Sequence, residues 1–211
     1  MNSIGENIWN EIPLEDYEFH MNHETVGQLK LLNGLTAQYL EMLKPETAVF
    51  LGIAGGNGLE HIDNTITKKV IGIDVNEMYL NVVQKRYTGE IPSLQLLQLD
   101  LSKEDSTFFE SDFIWAALIL EYAGIENVLK FSYNNLKSNG HLIVSIQSNN
   151  NLQTISETGI ESIKKVSNLF KIIDPDELNE AASRQNFLQL FFEENILPNG
   201  KSIKTYLFQK I

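Results

Sequence analysis

Short, mainly apolar segments alternate with helical patterns from residue 48 to residue 146, and this alternation constrains the fold more than any other feature. The apolar segments occupy residues 48–53, 70–73, 94–99, 113–119 and 141–146. Helical patterns separate them, at residues 58–66, 76–86, 103–109 and 125–137. Strands that are apolar throughout suit a sheet covered on both faces, and helical connections allow neighbouring strands to run parallel. The pattern predicts a doubly wound α/β fold.

The two ends of the chain carry other patterns. Residues 24–43 have one apolar helical face, whereas the first twenty residues show no sustained period and are expected to form an irregular arm. Residues 155–170 give another long helical pattern, and a helix start follows at Asp174. Apolar runs at 187–192 and 203–208 flank an Asn-Gly turn signal. Strands this closely joined must be antiparallel, so the parallel sheet is predicted to end in a hairpin.

A glycine-rich turn follows the first strand of this pattern. Residues 52–58 (GIAGGNG) contain four glycines, and a helical segment is predicted directly after them. Glycines allow a sharp turn and the close approach of a ligand, while a helix N-terminus offers free N–H groups and a positive dipole end. Asp74 ends the second strand, where a carboxylate can accept both hydroxyls of a ribose. The turn and the acid together indicate a site for a nucleoside ligand.

With these features in place, the sequence resembles the class I S-adenosylmethionine-dependent methyltransferases over most of its length. Residues 52–58 are similar to the family's first motif, an acid followed by three alternating glycines, and Asp74 corresponds to its ribose-binding acid. Residues 99–101, 111–122 and 136–144 resemble later motifs of the family. The resemblance implies a mostly parallel, seven-stranded, Rossmann-like sheet with a closing hairpin, and S-adenosylmethionine as the cofactor.

Two positions of the first motif depart from the family pattern. Gly52 stands where the family has Asp or Glu, and Ala54 stands where it has its first glycine. A carboxylate that normally helps order the methionine end of the cofactor is therefore missing. Asp100 has an equally good interpretation as the cap of a following helix, because Asp is a favoured N-cap residue. The resemblance assigns cofactor contacts to Gly52, Ala54, Gly55, Gly56, Asn57, Gly58, Asp74, Val75, Asp100, Leu101 and Ala117.

The resemblance also implies a domain organisation and a reaction. Residues 1–45 would form an N-terminal arm and helix that cap the ligand as part of the same domain, and residues 46–211 would form the methyltransferase domain. Methyl transfer from a sulfonium is an in-line displacement, in which the protein aligns the reactants and excludes water. The methyl acceptor is expected to be a small molecule that the sequence does not identify.

Three residues are candidates for a general base, which is useful when the nucleophile is a hydroxyl or an ammonium group. Glu121 and Tyr122 follow the fourth strand, at the edge where open α/β sheets bind ligands, although a solvated position is an equal alternative. His20 belongs with Tyr17 and His23 to an N-terminal segment that either covers the ligand or only packs the arm. The hypothesis is that Tyr122, Glu121 or His20 removes the proton.

Charge and composition argue against several classes of function. The 211-residue chain has a formal charge of −12 and a pI near 4.7, so its field repels phosphate backbones and nucleic acids are not expected as partners. The absence of cysteine excludes disulfides, thiolate metal sites and a cysteine nucleophile. His61 and His141 complete no metal-ligand spacing with His20 and His23, so no metal is expected. Without an apolar run long enough for a membrane span or a signal-peptide pattern, we expect a soluble, cytoplasmic monomer or homodimer.

Two other functions compete with methyl transfer. A nicotinamide-dependent short-chain dehydrogenase would share the glycine spacing of residues 52–58 and would use Tyr133 with Lys137 as its Tyr-Lys pair. In the predicted topology this pair lies at the amino edge of the sheet, away from a nucleotide at the carboxyl edge. A non-catalytic protein that binds S-adenosylmethionine is suggested by Gly52 and Ala54, since a fold alone does not prove catalysis.

Overall fold

A central sheet organises the protein in a computed structural model that describes residues 7–103, 107–150, 152 and 156–211. The strands of this sheet are β1 (Thr47–Leu51), β2 (Lys69–Asp74), β3 (Leu94–Gln98), β4 (Ser111–Ala117), β5 (Leu136–Ser148), β6 (Phe187–Ile196) and β7 (Ser202–Lys210). Their spatial order is β3-β2-β1-β4-β5-β7-β6. The first five strands pair in parallel, and β7 is antiparallel to both β5 and β6. The predicted doubly wound α/β sheet with a closing hairpin is confirmed.

Helices cover both faces of this sheet. The α-helices are α1 (Leu14–Asn22), α2 (Gln28–Leu43), α3 (Glu77–Tyr87), α4 (Leu120–Ala123), α5 (Ile125–Asn135), α6 (Glu161–Lys164) and α7 (Pro175–Arg184). Short 3-10 helices lie at Ile8–Glu11, Leu59–His61 and Lys165–Asn168. Side-chain caps fix two of the predicted starts, since Asn76 accepts from the first N–H groups of α3 and Asp174 from those of α7. In the described part of the chain, no helix combines the length and apolarity that crossing a membrane requires.

The core lies on both faces of the sheet, as the mainly apolar segments predict. In β4, Phe113 and Trp115 pack into one cluster with Tyr39 of α2, and Ile114 packs into the other with Leu129 of α5. Each of these strand residues is at most 6% exposed. Burial on both faces explains why the strand sequence does not alternate between polar and apolar residues.

Two of the predicted helices are replaced by shorter elements in the structure. Residues 58–66 form only the short 3-10 turn, since Asp63 accepts from the backbone N–H and the hydroxyl of Thr65 and so caps a turn. The long helix predicted at 155–170 is replaced by α6 and a 3-10 turn, and residues 153–155 lie outside the described part. The helical prediction at 103–109 falls partly on residues 104–106, which also lie outside it, and no helix is found at 107–109.

The N-terminal segment is more regular than its sequence predicts. Residues expected to be an irregular arm contain a 3-10 turn and α1, which begins after Pro13 with Glu15 and Asp16 in its first turn, where acids favour a helix N-terminus. The next helix starts at residue 28 and not at residue 24, because Gly27 adopts the left-handed conformation with φ of +66°. We call residues 7–22 the N-terminal cover.

Candidate active site

A cavity of about 620 Å³ opens at the carboxyl ends of the parallel strands. Its floor is the turn after β1 and the residues that follow β2, β3 and β4, and its roof is the N-terminal cover together with residues 163–171. This is the edge at which open α/β sheets bind ligands, and the volume lies in the range of about 300–1,000 Å³ that is usual for small-molecule sites.

Asp74 stands at the end of β2 on the floor of the cavity. Its Oδ2 accepts a hydrogen bond from the N–H of Ala54 at 2.9 Å, and its Oδ1 accepts one from the N–H of Asn76 at 2.9 Å. The side chain is 8% exposed, and this burial raises the pKa of the carboxyl to about 6 in spite of the backbone hydrogen bonds. A ligand that donates hydrogen bonds to Asp74 would stabilise its ionised form.

The turn after β1 is shaped by two residues with positive φ. Gly52 has φ of +65°, and a Cβ added to it would lie 3.1 Å from Cδ1 of Ile119. Ala54 has φ of +46°, in the left-handed region that favours glycine. Both residues line the cavity. The backbone at residue 52 is therefore unsuited to the acid that the family motif has there.

The remaining residues of the turn, Gly55, Gly56, Asn57 and Gly58, are not among those that line the cavity. An added Cβ would meet side chains from elsewhere in the chain at each glycine, Arg86 and Glu18 at Gly55, Tyr87 at Gly56 and Thr36 at Gly58. Asn57 donates to the backbone oxygen of Leu29 at 3.0 Å. These four positions shape the turn by close packing, and their contact with a cofactor stays a prediction.

The other residues assigned to the cofactor lie on the cavity wall, namely Val75, Asp100, Leu101 and Ala117. Asp100 accepts from both the N–H and the hydroxyl of Ser102, at 3.1 and 2.6 Å, and pairs with Lys103. Asp100 therefore caps a turn, not a helix, in the residues described.

Hydrogen bonds fasten the N-terminal cover to α3. Asn76 Nδ2 donates to the carbonyl oxygen of Trp9, and the hydroxyl of Tyr79 donates to that of Ile12, each at 2.8 Å. Tyr17 and His20 of the cover line the cavity, whereas His23 does not and instead contacts Thr25. Tyr17 and His20 therefore lie at the cavity, and their role in covering a ligand stays a prediction.

A second fastening joins the cover to the glycine turn. Arg86 pairs with Glu18 of α1 through both guanidinium nitrogens, and its Nη1 also donates to the carbonyl oxygen of Gly55 at 2.9 Å. The cover is therefore held both to α3 and to the turn after β1.

The three candidate bases have different environments. His20 is 7% exposed and bonds Thr158 Oγ1 through Nδ1 at 2.7 Å, and burial, with nearby Lys201, lowers its pKa to about 4. Tyr122 lines the cavity, and burial raises its pKa well above 10, so the phenol stays protonated. Glu121 is fully buried and is not among the residues that line the cavity, and burial raises its pKa to about 7. The solvated alternative for Glu121 is thereby wrong.

A buried polar network that the sequence analysis missed connects Glu121 to the cavity. Glu121 Oε1 accepts from the backbone N–H of Gln147 at 2.8 Å, and Gln147 Oε1 accepts from Gln28 Nε2 at 2.5 Å. Both glutamines line the cavity, and Oε2 of Glu121 has no hydrogen-bond partner in the described residues. Gln147 lies at the carboxyl end of β5. Because ligands bind at this edge of the sheet, its position is the signal from which it could have been predicted.

Aromatic residues form the opposite part of the cavity, and we call Trp9, Tyr122 and Phe170 the aromatic wall. The ring of Tyr122 lies edge-on to both others, with centroids 4.9 Å from Trp9 and 5.6 Å from Phe170. The apolar side chains of Ile163 and Val166 continue this surface. Trp9 and Phe170 belong to segments without a sequence motif, so only the folded chain brings them together.

Residues interpreted as structural lie outside the cavity. Asp112 accepts from the N–H of Thr47 and pairs with Lys137 at 2.8 Å, at the amino end of β4. Tyr133 and Lys137, the pair that a short-chain dehydrogenase would use, do not line the cavity. His61 is exposed and bonds Asn33. Among the described residues, no group of three or more His, Asp or Glu side chains could hold a metal ion.

Comparison with known proteins supports the fold but gives no sequence relative. No protein-family model and no curated protein sequence matches the chain. Among solved structures, the N-methyltransferase NodS from Bradyrhizobium japonicum in complex with S-adenosyl-L-homocysteine is similar, with a TM-score of 0.64, 12% identity, and coverage of 93% of this chain and 97% of that one.

Two further structures show what this fold can support. The geranyl diphosphate C-methyltransferase from Streptomyces coelicolor matches with a TM-score of 0.64 and 10% identity, over 89% of this chain and 82% of that one. The cyclase SpnF matches with a TM-score of 0.63 and 14% identity, over 85% of this chain and 80% of that one. The chain therefore has the Rossmann-like fold of the class I methyltransferases, and its activity has to be argued from its own site.

Proposed function

We propose that the protein binds S-adenosylmethionine in this cavity and transfers its methyl group to a small molecule. The observation that carries the proposal is Asp74, a buried carboxylate that lines the cavity at the end of β2 and orders the turn after β1. A carboxylate in this position suits the two hydroxyls of a ribose. Val75, Asp100, Leu101 and Ala117 would complete the binding surface around the nucleoside.

The cofactor would supply an activated methyl group on its sulfonium, so the work left to the protein is alignment and exclusion of water. The N-terminal cover closes one side of the cavity, and the aromatic wall offers an apolar surface for the acceptor. Tyr122 would donate a hydrogen bond and not accept a proton, because its pKa is raised well above 10. His20 is a weak base, since its pKa is lowered to about 4. Positioning is therefore proposed as the main contribution to rate.

The proposal includes the organisation of the chain. Residues 1–45 would act as a cap within the same domain as residues 46–211, which is supported by α2, whose Tyr39 packs in one cluster with Phe50 of β1. A net charge of −12 opposes nucleic-acid substrates. A cytoplasmic location is proposed as the default, since the absence of cysteine fits any compartment that needs no cross-links.

Calorimetric titration with S-adenosylmethionine, S-adenosylhomocysteine and NAD tests the proposal. We expect the first two to bind and NAD not to bind. Asp74→Ala should weaken binding at least about tenfold, as the loss of a charge-assisted hydrogen bond would. The control Glu41→Gln changes an acid that is 79% exposed and should leave binding unchanged. Failure of both adenosyl compounds to bind would overturn the proposal.

A non-catalytic protein with the same ligand is the second candidate, and the conformation of Gly52 favours it. The family acid is replaced by a residue whose φ of +65° disfavours any side chain. Turnover assays with panels of amine, hydroxyl and carboxyl acceptors separate the candidates. Release of S-adenosylhomocysteine with any acceptor supports the enzyme. Tight binding of S-adenosylmethionine without turnover across all panels supports the non-catalytic binding protein.

A further inference from the structure

The edge strand β6 carries an unusual concentration of exposed apolar side chains. Residues 188–192 are all exposed, and the exposed large apolar side chains of the strand are Leu188 at 49%, Leu190 at 47%, Phe191 at 47%, Phe192 at 41% and Ile196 at 80% exposure, whereas Phe187 is buried. Patches of this kind on soluble proteins mark interaction sites. The patch is independent of the cavity, since none of these residues lines it.

The position of β6 makes its backbone available as well. The strand ends the sheet order and pairs with β7 alone among the described strands. Edge strands of soluble proteins are usually protected by charges, proline, bulges or short length, because their free N–H and C=O groups can pair with another chain. β6 has one of these features, a bulge between residues 189 and 191. β6 is ten residues long, and its first six residues, 187–192 (FLQLFF), contain neither a charge nor a proline.

Exposed apolar residues occur on both faces of β6. Phe191 pairs with Leu207 and Phe192 pairs with Tyr206, and these two residues of β7 belong to the two core clusters on opposite faces of the sheet. Apolar residues on both faces are typical of strands whose two faces are covered. β6 has this composition although it lies at the edge of the sheet.

The sequence of residues 187–192 is self-complementary in an antiparallel pair. With a twofold axis between Gln189 and Leu190, Leu188 of one copy lies opposite Phe191 of the other, and Phe187 lies opposite Phe192. Residues directly opposite each other share a face of the sheet. Leu188 and Phe191 do lie on the same face, because they pair with Gln209 and Leu207, two residues apart on β7. The bulge between residues 189 and 191 falls at this axis.

The exposed apolar side chains supply part of the area that a stable dimer needs. At about 180 Å² for a fully exposed large apolar side chain, the four exposed apolar residues of segment 187–192 present roughly 330 Å² per copy. Two copies offer at most about 660 Å² from these side chains, so the backbones of the paired strands have to contribute the rest of a specific interface. Closed twofold dimers are the commonest oligomers, and their interfaces use the same patch on both subunits.

We propose that two copies of this chain pair antiparallel through residues 187–192 of β6, which joins the two sheets into one continuous sheet across a twofold axis. The acidic residues Glu193 and Glu194 lie beyond the paired segment and are held by their own chain, through Tyr39 and Ser202. Because each copy carries a charge of −12, added salt screens the repulsion and strengthens the dimer.

Sedimentation equilibrium of the full chain at micromolar concentrations tests the proposal. The expected mass is twice 24.0 kDa, and Phe191→Lys and Leu188→Lys should each reduce it to 24.0 kDa. Met78→Lys is the matched control, because it adds the same charge at an apolar residue that is 72% exposed on α3. Thermal unfolding of each variant verifies that the chain still folds.

Cysteine cross-linking supplies a second measurement, since the natural chain has no cysteine. In Leu188→Cys/Phe191→Cys, opposite residues of two copies come within the Cα distance of about 4.4–6.8 Å that a disulfide requires. Oxidation should give a covalent dimer, and Met78→Cys should not. A wild-type chain that remains at 24.0 kDa overturns the proposal. The proposal is also overturned if a dimer, or a complex with another protein, persists in both Lys variants and gives no cross-link.

Discussion

The carboxylate of Asp74 accepts a hydrogen bond from the backbone N–H of Ala54 at 2.9 Å, which ties the end of β2 to the turn after β1. The same carboxylate accepts from the N–H of Asn76, the cap of α3. One side chain therefore orders the turn and the start of α3 before any ligand arrives. The ionisation state of Asp74 therefore affects the turn after β1 and the start of α3, which together form part of the cavity floor.

Affinity for S-adenosylmethionine should rise with pH because of Asp74. Burial raises the pKa of this carboxyl to about 6, and ribose hydroxyls bind its ionised form. The ionised fraction increases from about a tenth to about nine tenths between one pH unit below that value and one above it, so affinity should increase about tenfold. Calorimetry across this range checks the slope. A slope that persists unchanged in Asp74→Asn would contradict the assignment.

Replacing Ala54 by glycine should stabilise the protein. Ala54 adopts φ of +46°, where an L side chain costs about 1 kcal/mol relative to glycine. Ala54→Gly should therefore raise the free energy of unfolding, measured by urea denaturation, by about that amount.

The opposite change at the neighbouring position should be harmful. Gly52→Asp restores the family acid but places a side chain at φ of +65° and 3.1 Å from Ile119. We expect a loss of about 1–2 kcal/mol in unfolding free energy and no gain in cofactor affinity. Tighter binding by Gly52→Asp would show that the turn adapts to the family conformation.

Glu121 should make the protein less stable as pH rises. Its carboxyl pKa is raised from 4.5 to about 7 by burial, so the folded state holds the proton more tightly, and stability falls through that window. The change is on the order of 3 kcal/mol. Glu121→Gln lacks this titration, and its unfolding free energy should vary less with pH from about 5 to 8. If the unfolding free energies of the wild-type protein and Glu121→Gln, measured by urea denaturation, have equal pH slopes, the raised pKa of Glu121 is disproved.

Asn76 should control the N-terminal cover separately from the helix that it caps. Asn76→Ser keeps an acceptor for the first N–H groups of α3 but loses the donor to the carbonyl of Trp9. The cofactor should dissociate several-fold faster with little change in melting temperature. Asn76→Ala, which loses both functions, should also cost about 1 kcal/mol of stability.

The fluorescence of Trp9 measures this opening directly in a background without the second tryptophan, Trp115, since the chain has two. In Trp115→Phe, loss of the cover in Asn76→Ser should shift the emission of Trp9 towards that of a solvated indole. An unchanged spectrum with unchanged dissociation would show that the bond to Trp9 does not hold the cover.

Much of the sheet could be predicted from the sequence, because buried parallel strands leave a signal that needs no context. The run from Phe113 to Ala117 is apolar on both faces, and Asp74 stands at the end of an equally apolar strand. The predicted helix at 58–66 failed because Asp63 forms a local turn with Thr65, a competition that periodicity does not register.

The walls of the cavity could not be predicted to the same extent. Trp9, Tyr122 and Phe170 meet only through tertiary packing of segments far apart in the chain, and the long helix predicted to end at Phe170 is replaced by shorter elements. Gln28 and Gln147 are polar residues whose burial becomes visible only with their mutual hydrogen bond. The resemblance located the floor, which the strands position, whereas the roof depends on loops and short helices.

The two bonds from α3 to the cover also bear on the rate of turnover. Tyr79 and Asn76 donate to main-chain carbonyls of the cover, so no substitution within the cover itself removes the acceptors. We expect a nucleoside to enter or leave when both bonds and the Arg86–Glu18 pair break. Such opening commonly limits enzymes with closing segments. Turnover should therefore slow as solvent viscosity rises, while the rate of a single enclosed methyl transfer should not.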